Sequence, residues 1–376
     1  MRRPKVLHVI ESLCEGGCQR MFLSTLDGLG RRRRMEHLGL VIHDRLDMLR
    51  AQPCSARLAL LRLPSPRSIP EAALLKLRGA PALLRFIVRE NPDVVYLYYS
   101  SGADNLLLPL MCRALGKKVV TRKCIPAGRL PWLNEAMVEA SHALSDTVVS
   151  LFPGGAARAG AGKTVCIPNG KSPSSFSSRL GKARARARLR IPGDALVFGM
   201  LTRLHPVKNI EAGINAFARI GRAHAGSMLV IAGAESTQKG YAAHLRKLAE
   251  GLGVGPEVVF LGHRDDVADV LPAFDVFLHP ASDDVLPGSV LEAMCSGLPV
   301  IATDAGGTGH LLGEEGILVP QGDLQALSSA MLSLAGSPAL RLRMGKALRK
   351  RAEKEFSKKK MLDSYEKLFL GLLERE

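Results

Sequence analysis

From residue 5 onward, short aliphatic and β-branched runs alternate with stretches of helical periodicity almost to the end of the chain, and no other feature restricts the fold as much. Parallel strands need a helical crossover, so this alternation predicts βαβ units. The first series is KVLHVI (5–10), HLGLVIH (37–43), DVVYLYY (93–99), KKVVTRKC (117–124), DTVVSLF (146–152) and KTVCIP (163–168). A second series follows: ALVFGML (195–201), SMLVIAGA (227–234), EVVFLG (257–262), DVFLHP (275–280), PVIATD (299–304) and GILVP (316–320). Two such series predict an α/β protein of two Rossmann-like, doubly wound domains. A length of 376 residues suits two to three domains, and 47% hydrophobic residues is enough to fill their cores.

The seam between the series is KSPSSFSSRLGKARARARLRIPG (171–193), where a Ser/Pro stretch passes into a basic helical segment and a turn. The expected organisation is a first domain over 1–178, a linker over 179–193, a second domain over 194–355 and a C-terminal helix over 356–376. In that helix KKKMLDSYEKLFLGLL has helical spacing of apolar positions, which fits packing onto the body.

Charge is unevenly divided. Residues 1–178 hold 26 Lys+Arg against 13 Asp+Glu, residues 179–190 add six Lys+Arg and no acid, and 191–376 hold 20 against 22. The basic first half points to an anionic partner such as phospholipid headgroups or a pyrophosphate-linked acceptor. Nucleic acid is not expected: aromatics are 5% and no nucleic-acid-binding signature occurs. No apolar run approaches the roughly 18 residues of a membrane span, and the apolar stretch in MRRPKVLHVIE is short for a signal peptide, so a cytoplasmic location is expected. Seven cysteines without a C-x-x-C pair fit reduced thiols, with Cys14 and Cys18 as packing residues.

Ligands of doubly wound sheets bind beyond the carboxyl ends of the strands. After 5–10, Gly16 and Gly17 leave room for a ligand to approach backbone ahead of a helix. After 195–201, TRLHPVKN places Arg203 and Lys208 around a proline turn, two cations suited to a diphosphate. After 275–280, DDVLPGSVLEAM admits two readings. Ser289 and Glu292 have the S-x-x-E spacing of a capping box. Alternatively, the Pro287-Gly288-Ser289 turn offers helix-start amides to phosphate while Asp284 and Glu292 grip hydroxyls.

GGCQR, IPNG (167–170), GMLTRLHPVKN, FLGHRDDV (260–267), DDVLPGSVLEAMCSGLPVIATDAGG and GILVPQGD together resemble retaining family 4 glycosyltransferases of the GT-B fold. The resemblance implies two Rossmann-like domains facing a cleft, with C-terminal helices crossing back toward the first domain. It implies that Glu292 holds the ribose of a nucleoside diphosphate sugar, capping its helix with its other oxygen, and that Asp284 contacts the transferred sugar. Arg203 and Lys208 match the pair on the donor diphosphate, and Gly16-Gly17 the loop over donor and acceptor. Val285, Leu286, Pro287, Gly288, Ser289 and Arg264 fall among the implied donor-binding positions. Neither a metal nor another cofactor is implied.

The chain departs from the family's pattern in several places. Asp284 is one methylene shorter than the usual Glu, Val285-Leu286 replace Gly-Phe or similar, and Lys123 stands near the usual His, as a possible sugar or acceptor contact. Thr202 replaces a Gly, Glu235 sits in a normally glycine-rich turn, and His310 replaces a Glu. The expected activity is transfer of a hexose, from a UDP-sugar by the family's habit, to a membrane-associated glycan or lipid-linked acceptor in lipopolysaccharide or exopolysaccharide synthesis. The expected place is peripheral on the inner face of the cytoplasmic membrane. A small soluble acceptor, or a catalytically weak binding or assembly protein, are the alternatives, and the sequence leaves the oligomeric state open.

Overall fold

In the computed structural model, the structure describes residues 2–13, 16–44, 46, 54–65, 69–98, 106–123, 132–156, 163–176, 180–221, 224–235 and 239–374. Cys14, Tyr99, Cys124 and Arg179 lie outside them. The chain forms two compact units, one of residues Met1–Asn169 and Lys360–Glu376, the other Gly170–Lys359.

The first unit is built on a parallel seven-stranded sheet: β1 (Lys5–Ile10), β2 (Glu36–His43), β3 (Arg57–Leu63), β4 (Val94–Tyr98), β5 (Lys118–Arg122), β6 (Thr147–Ser150) and β7 (Thr164–Cys166). Their order is β3-β2-β1-β4-β5-β6-β7. Strand β3 is an addition to the expected set. On one face Met21, Phe22 and Leu26 of helix Gly17–Gly30 pack with Tyr96 and Tyr98. Met361, Tyr365 and Phe369 of helix Lys358–Leu373 join them, and the Tyr96 and Tyr365 hydroxyls are hydrogen-bonded at 2.8 Å. Leu83 and Ile87 of helix Ile69–Glu90, with Leu108 and Cys112 of helix Leu107–Ala114, cover the other face.

The second unit has a parallel six-stranded sheet: β8 (Leu196–Leu201), β9 (Ser227–Ala232), β10 (Val258–Gly262), β11 (Val276–His279), β12 (Val300–Thr303) and β13 (Ile317–Val319). The order is β10-β9-β8-β11-β12-β13, with Val276 opposite Phe198 and Phe277 opposite Gly199. A Cβ at Gly199 would stand 2.0 Å from the Phe274 ring, so only glycine lets that ring seat against β8. In both sheets the order reverses at one central pair, β1/β4 and β8/β11, and it is at such switch points, beyond the carboxyl ends of the strands, that doubly wound sheets bind ligands.

The expected linker is not one. Its helix, Lys182–Leu189, belongs to the second unit. Arg186 is 3% exposed and donates to Asp275 Oδ2 at 2.6 Å, Gly193 O at 2.6 Å and Ala273 O at 3.1 Å. Asp275 Oδ2 also accepts from Val197 N at 2.7 Å. A buried guanidinium needs such partners, and they anchor the segment to the start of β8. The tail is two helices, Pro338–Glu355 in the second unit and Lys358–Leu373, all but its first two residues in the first. No helix among the described residues is long and apolar enough to cross a membrane. The five described cysteines are free thiols.

Candidate functional site

The β8/β11 switch point brings together loops that are about 75 residues apart in sequence. After β8 the chain makes a 3-10 turn, Pro206–Lys208, started by His205, whose Nδ1 accepts from Val207 N. The loop after β11 is tied to it: Ser282 N and Oγ both donate to Val207 O, at 3.0 and 3.1 Å. Lys208 Nζ thereby reaches Asp284 Oδ2 at 2.5 Å. His279, buried at the end of β11, places Nε2 3.4 Å from the same oxygen, the outer limit of hydrogen bonding. Burial alone would push the Asp284 carboxyl up; contact with His279 and the Lys208 charge more than offset it and hold the group well below the usual carboxylate range.

The Asp284 loop is also fixed from behind by the DAGG turn. Gly306 has φ +55°, and a Cβ there would stand 1.7 Å from Asp284 O, while Gly307 N donates to Val285 O at 2.8 Å. Glycine is required on both counts. Gly233 serves the β8 loop similarly: a Cβ would meet Thr202 O at 1.7 Å.

Helix Gly288–Cys295 begins immediately after this loop, with Pro287 as N-cap and no side-chain cap. The expected capping box is therefore absent. The helix starts one residue before Ser289, which puts Ser289 and Glu292 inside it, and Glu292 cannot reach back to cap. Its Oε1 instead meets Lys171 Nζ at 2.7 Å, and the residue is 7% exposed. The first-turn amides are thus left without a side-chain cap at the positive end of the helix.

The remaining candidates sit as follows. Arg203 is exposed on the loop after β8 and has no side-chain partner among the described residues. Val285 and Ser289 are half-buried, Leu286 and Pro287 buried, all on the Asp284 loop or helix start. Arg264 is not part of this cluster's bonding: Asp266 binds it in a fork at 2.8 and 2.5 Å. His310 packs edge-on against Phe356, and burial lowers its pKa. Gly16, Gly17 and Lys123 belong to the first unit. Gly16 precedes the helix after β1, where it has extended backbone (φ 178°). Lys123 follows β5 and donates its backbone N–H to Val149 O at 2.9 Å.

Sequence reasoning missed two residues, His279 and Lys171. His279 was legible as a histidine closing a strand before the acidic loop; Lys171 follows IPNG but lies 121 residues from Glu292. Among the described residues no group of three His, Cys, Asp or Glu side chains is arranged to hold a metal.

Two parallel sheets, each with one central switch point, define the GT-B class of fold. HepE of Anabaena, in complex with UDP-glucose, has a TM-score of 0.83 to this chain at 17% identity, covering 98% of this chain and 99% of HepE. Residues 181–351 match the model of the family described as glycosyl transferases group 1. Lipopolysaccharide core biosynthesis glycosyltransferase LpsE of Rhizobium meliloti (strain 1021) is 31% identical over 182 residues, 48% of this chain and 51% of LpsE. The UDP-Gal:alpha-D-GlcNAc-diphosphoundecaprenol alpha-1,3-galactosyltransferase of Escherichia coli is 26% identical over 216 residues, 56% of this chain and 55% of that enzyme. The chain thus spans about half the length of the curated relatives it matches.

Proposed function

We propose that the chain is a retaining, metal-independent hexosyltransferase that uses a nucleoside diphosphate sugar, with Asp284, Lys208 and the start of helix Gly288–Cys295 as the centre of the donor site. The observation that carries this reading is the placement of Lys208 against Asp284 at the switch point, beside helix amides without a side-chain cap. As the bond from the anomeric carbon to the diphosphate oxygen breaks, negative charge grows on the leaving phosphate. Lys208, Arg203 and the amides of Gly288 and Ser289 stabilise that charge. The acceptor hydroxyl attacks from the leaving-group side, forms the new glycosidic bond and passes its proton to the departing phosphate oxygen. Without donor, Lys208 and Asp284 neutralise each other; an arriving diphosphate takes the ammonium and leaves Asp284 to accept hydrogen bonds from sugar hydroxyls. Glu292, with Oε2 unpartnered among the described residues, accepts from ribose.

UDP as the nucleotide is supported by the complex of HepE, which shares the fold, with UDP-glucose. A cell-surface glycan or lipid-linked acceptor is supported by the lipopolysaccharide and diphosphoundecaprenol relatives. Docking on the anionic inner face of the membrane is supported by the basic first unit, where exposed Leu84 and Val88 lie one turn apart on helix Ile69–Glu90 beside Arg85 and Arg89.

Calorimetry with UDP and UDP-glucose tests the donor site. Binding by the parent and its loss in Lys208→Ala are expected; equal binding by both proteins refutes the assignment. Flotation with anionic liposomes at low salt, reversed at about 0.5 M salt as screening shortens, tests the membrane surface. Equal flotation with neutral vesicles refutes the electrostatic part.

A further inference from the structure

Glu292 and Lys171 form a pair that neither the sequence nor the catalytic scheme requires. Lys171 is the second residue of the second unit, and its backbone is held like a short parallel bridge against Ser357: its N–H donates to Phe356 O and its carbonyl accepts from Lys358 N, both at 2.9 Å. The ammonium extends past the Phe176 ring, 5.7 Å from its centroid, to Glu292 Oε1 at 2.7 Å. The side chains are 22% and 10% exposed, so the pair is largely withdrawn from water. Two consequences follow. A carboxylate so enclosed is held in one rotamer by the cation it meets. And the pairing uses one oxygen only: Oε2 has no partner among the described residues.

We propose that Lys171 is a positioning residue for the nucleotide: by engaging Oε1 it fixes the Glu292 carboxylate so that Oε2 is kept for a vicinal diol. The proposal rests on the reading of Glu292 as the ribose-binding acid. Lys171 acts through Glu292 and makes no contact with the phosphates. The backbone bridge to Phe356 and Lys358 fixes the root of the side chain, and Glu292 Oε1 with the Phe176 ring holds its ammonium.

The full chain is titrated by calorimetry with UDP, 2′,3′-dideoxy-UDP and inorganic pyrophosphate. The parent is expected to prefer UDP to the dideoxy nucleotide by about tenfold or more, as for hydrogen bonds to a charged group. Lys171→Met is expected to lose most of that preference and leave pyrophosphate affinity within about twofold, and Lys171→Arg to restore the preference. A disturbed fold would weaken all three ligands together, and that result overturns the proposal. Should Lys171→Met fail to fold, Lys171→Gln is read with the same ligands and against the same outcomes. Retention of the preference in Lys171→Met alongside its loss in Glu292→Gln overturns the positioning role alone. Retention in both variants overturns the ribose reading of Glu292 as well.

Discussion

Acidification should destabilise the first unit over a pH range set by its buried histidines. His8 on β1 and His37 on β2 are 0% and 7% exposed, and His8 Nε2 and His37 Nδ1 stand 3.0 Å apart. Burial pushes His37 down to about 4 and, with the nearby His37, takes His8 well below its ordinary 6.5. In helix Trp132–Leu144, His142 is likewise lowered to about 4, by burial first and then by the charge of Lys123. The unfolded chain takes up these protons near pH 6.5 and the folded chain only near 4, so their stability is present above about 6.5 and is lost as pH falls through this window. Between pH 7 and 5, His37 and His142 each cost about 2 kcal/mol. At about 2–4 °C per kcal/mol, the two together lower the melting temperature by about 10 °C, with His8 adding to it. Scanning calorimetry at pH 7, 6 and 5 measures the slope. The variant His37→Asn, which keeps a polar side chain beside His8, should flatten it. An unchanged slope in that variant refutes the assignment of the acid transition to this pair.

Lys208→Ala and Arg203→Ala should each reduce turnover of the nucleotide sugar by about 10²–10³, since their charge is needed most as the diphosphate leaves; near-parental rates in both would remove them from the site. Glu292→Gln should weaken the free nucleotide, whereas Asp284→Asn should leave the nucleotide nearly unchanged and weaken the intact donor, a contrast calorimetry resolves. Gly306→Ala forces a Cβ onto Asp284 O at positive φ, so a loss of about 2 kcal/mol or more in stability and of donor binding is expected in thermal melts.

The strands are legible where the sheet is covered on both faces, because a run such as Val94–Tyr98 is buried at every residue and has no room for polar ones. Arg57–Leu63 is not, since it forms the sheet edge, half-buried along most of its length and carrying arginines, and so lacks a period. Within the site, Lys208 and Asp284 are legible as charges at strand ends, and the switch point supplies the proximity that spacing cannot. The capping box misled because S-x-x-E describes a helix with Ser289 as its N-cap, while the observed helix already begins at Gly288 with Pro287 as N-cap. The expected linker failed for a similar reason: a basic, Arg-rich segment reads as solvated until Asp275, 89 residues from Arg186, is seen to neutralise it.

The return of the chain to its first unit bears on how the protein is made. Met361, Leu362, Tyr365, Phe369 and Leu372 belong to the same core as Met21, Phe22 and Tyr96. A growing chain that has emerged as far as Asn169 holds every strand of that sheet but lacks the residues that the last helix adds to its core, and Tyr96 has no Tyr365 hydroxyl to meet. Residues 170–359, contiguous in sequence, can complete their own core first. The first unit therefore cannot close this core until residues 360–373 have been made, whereas the second unit does not wait for them.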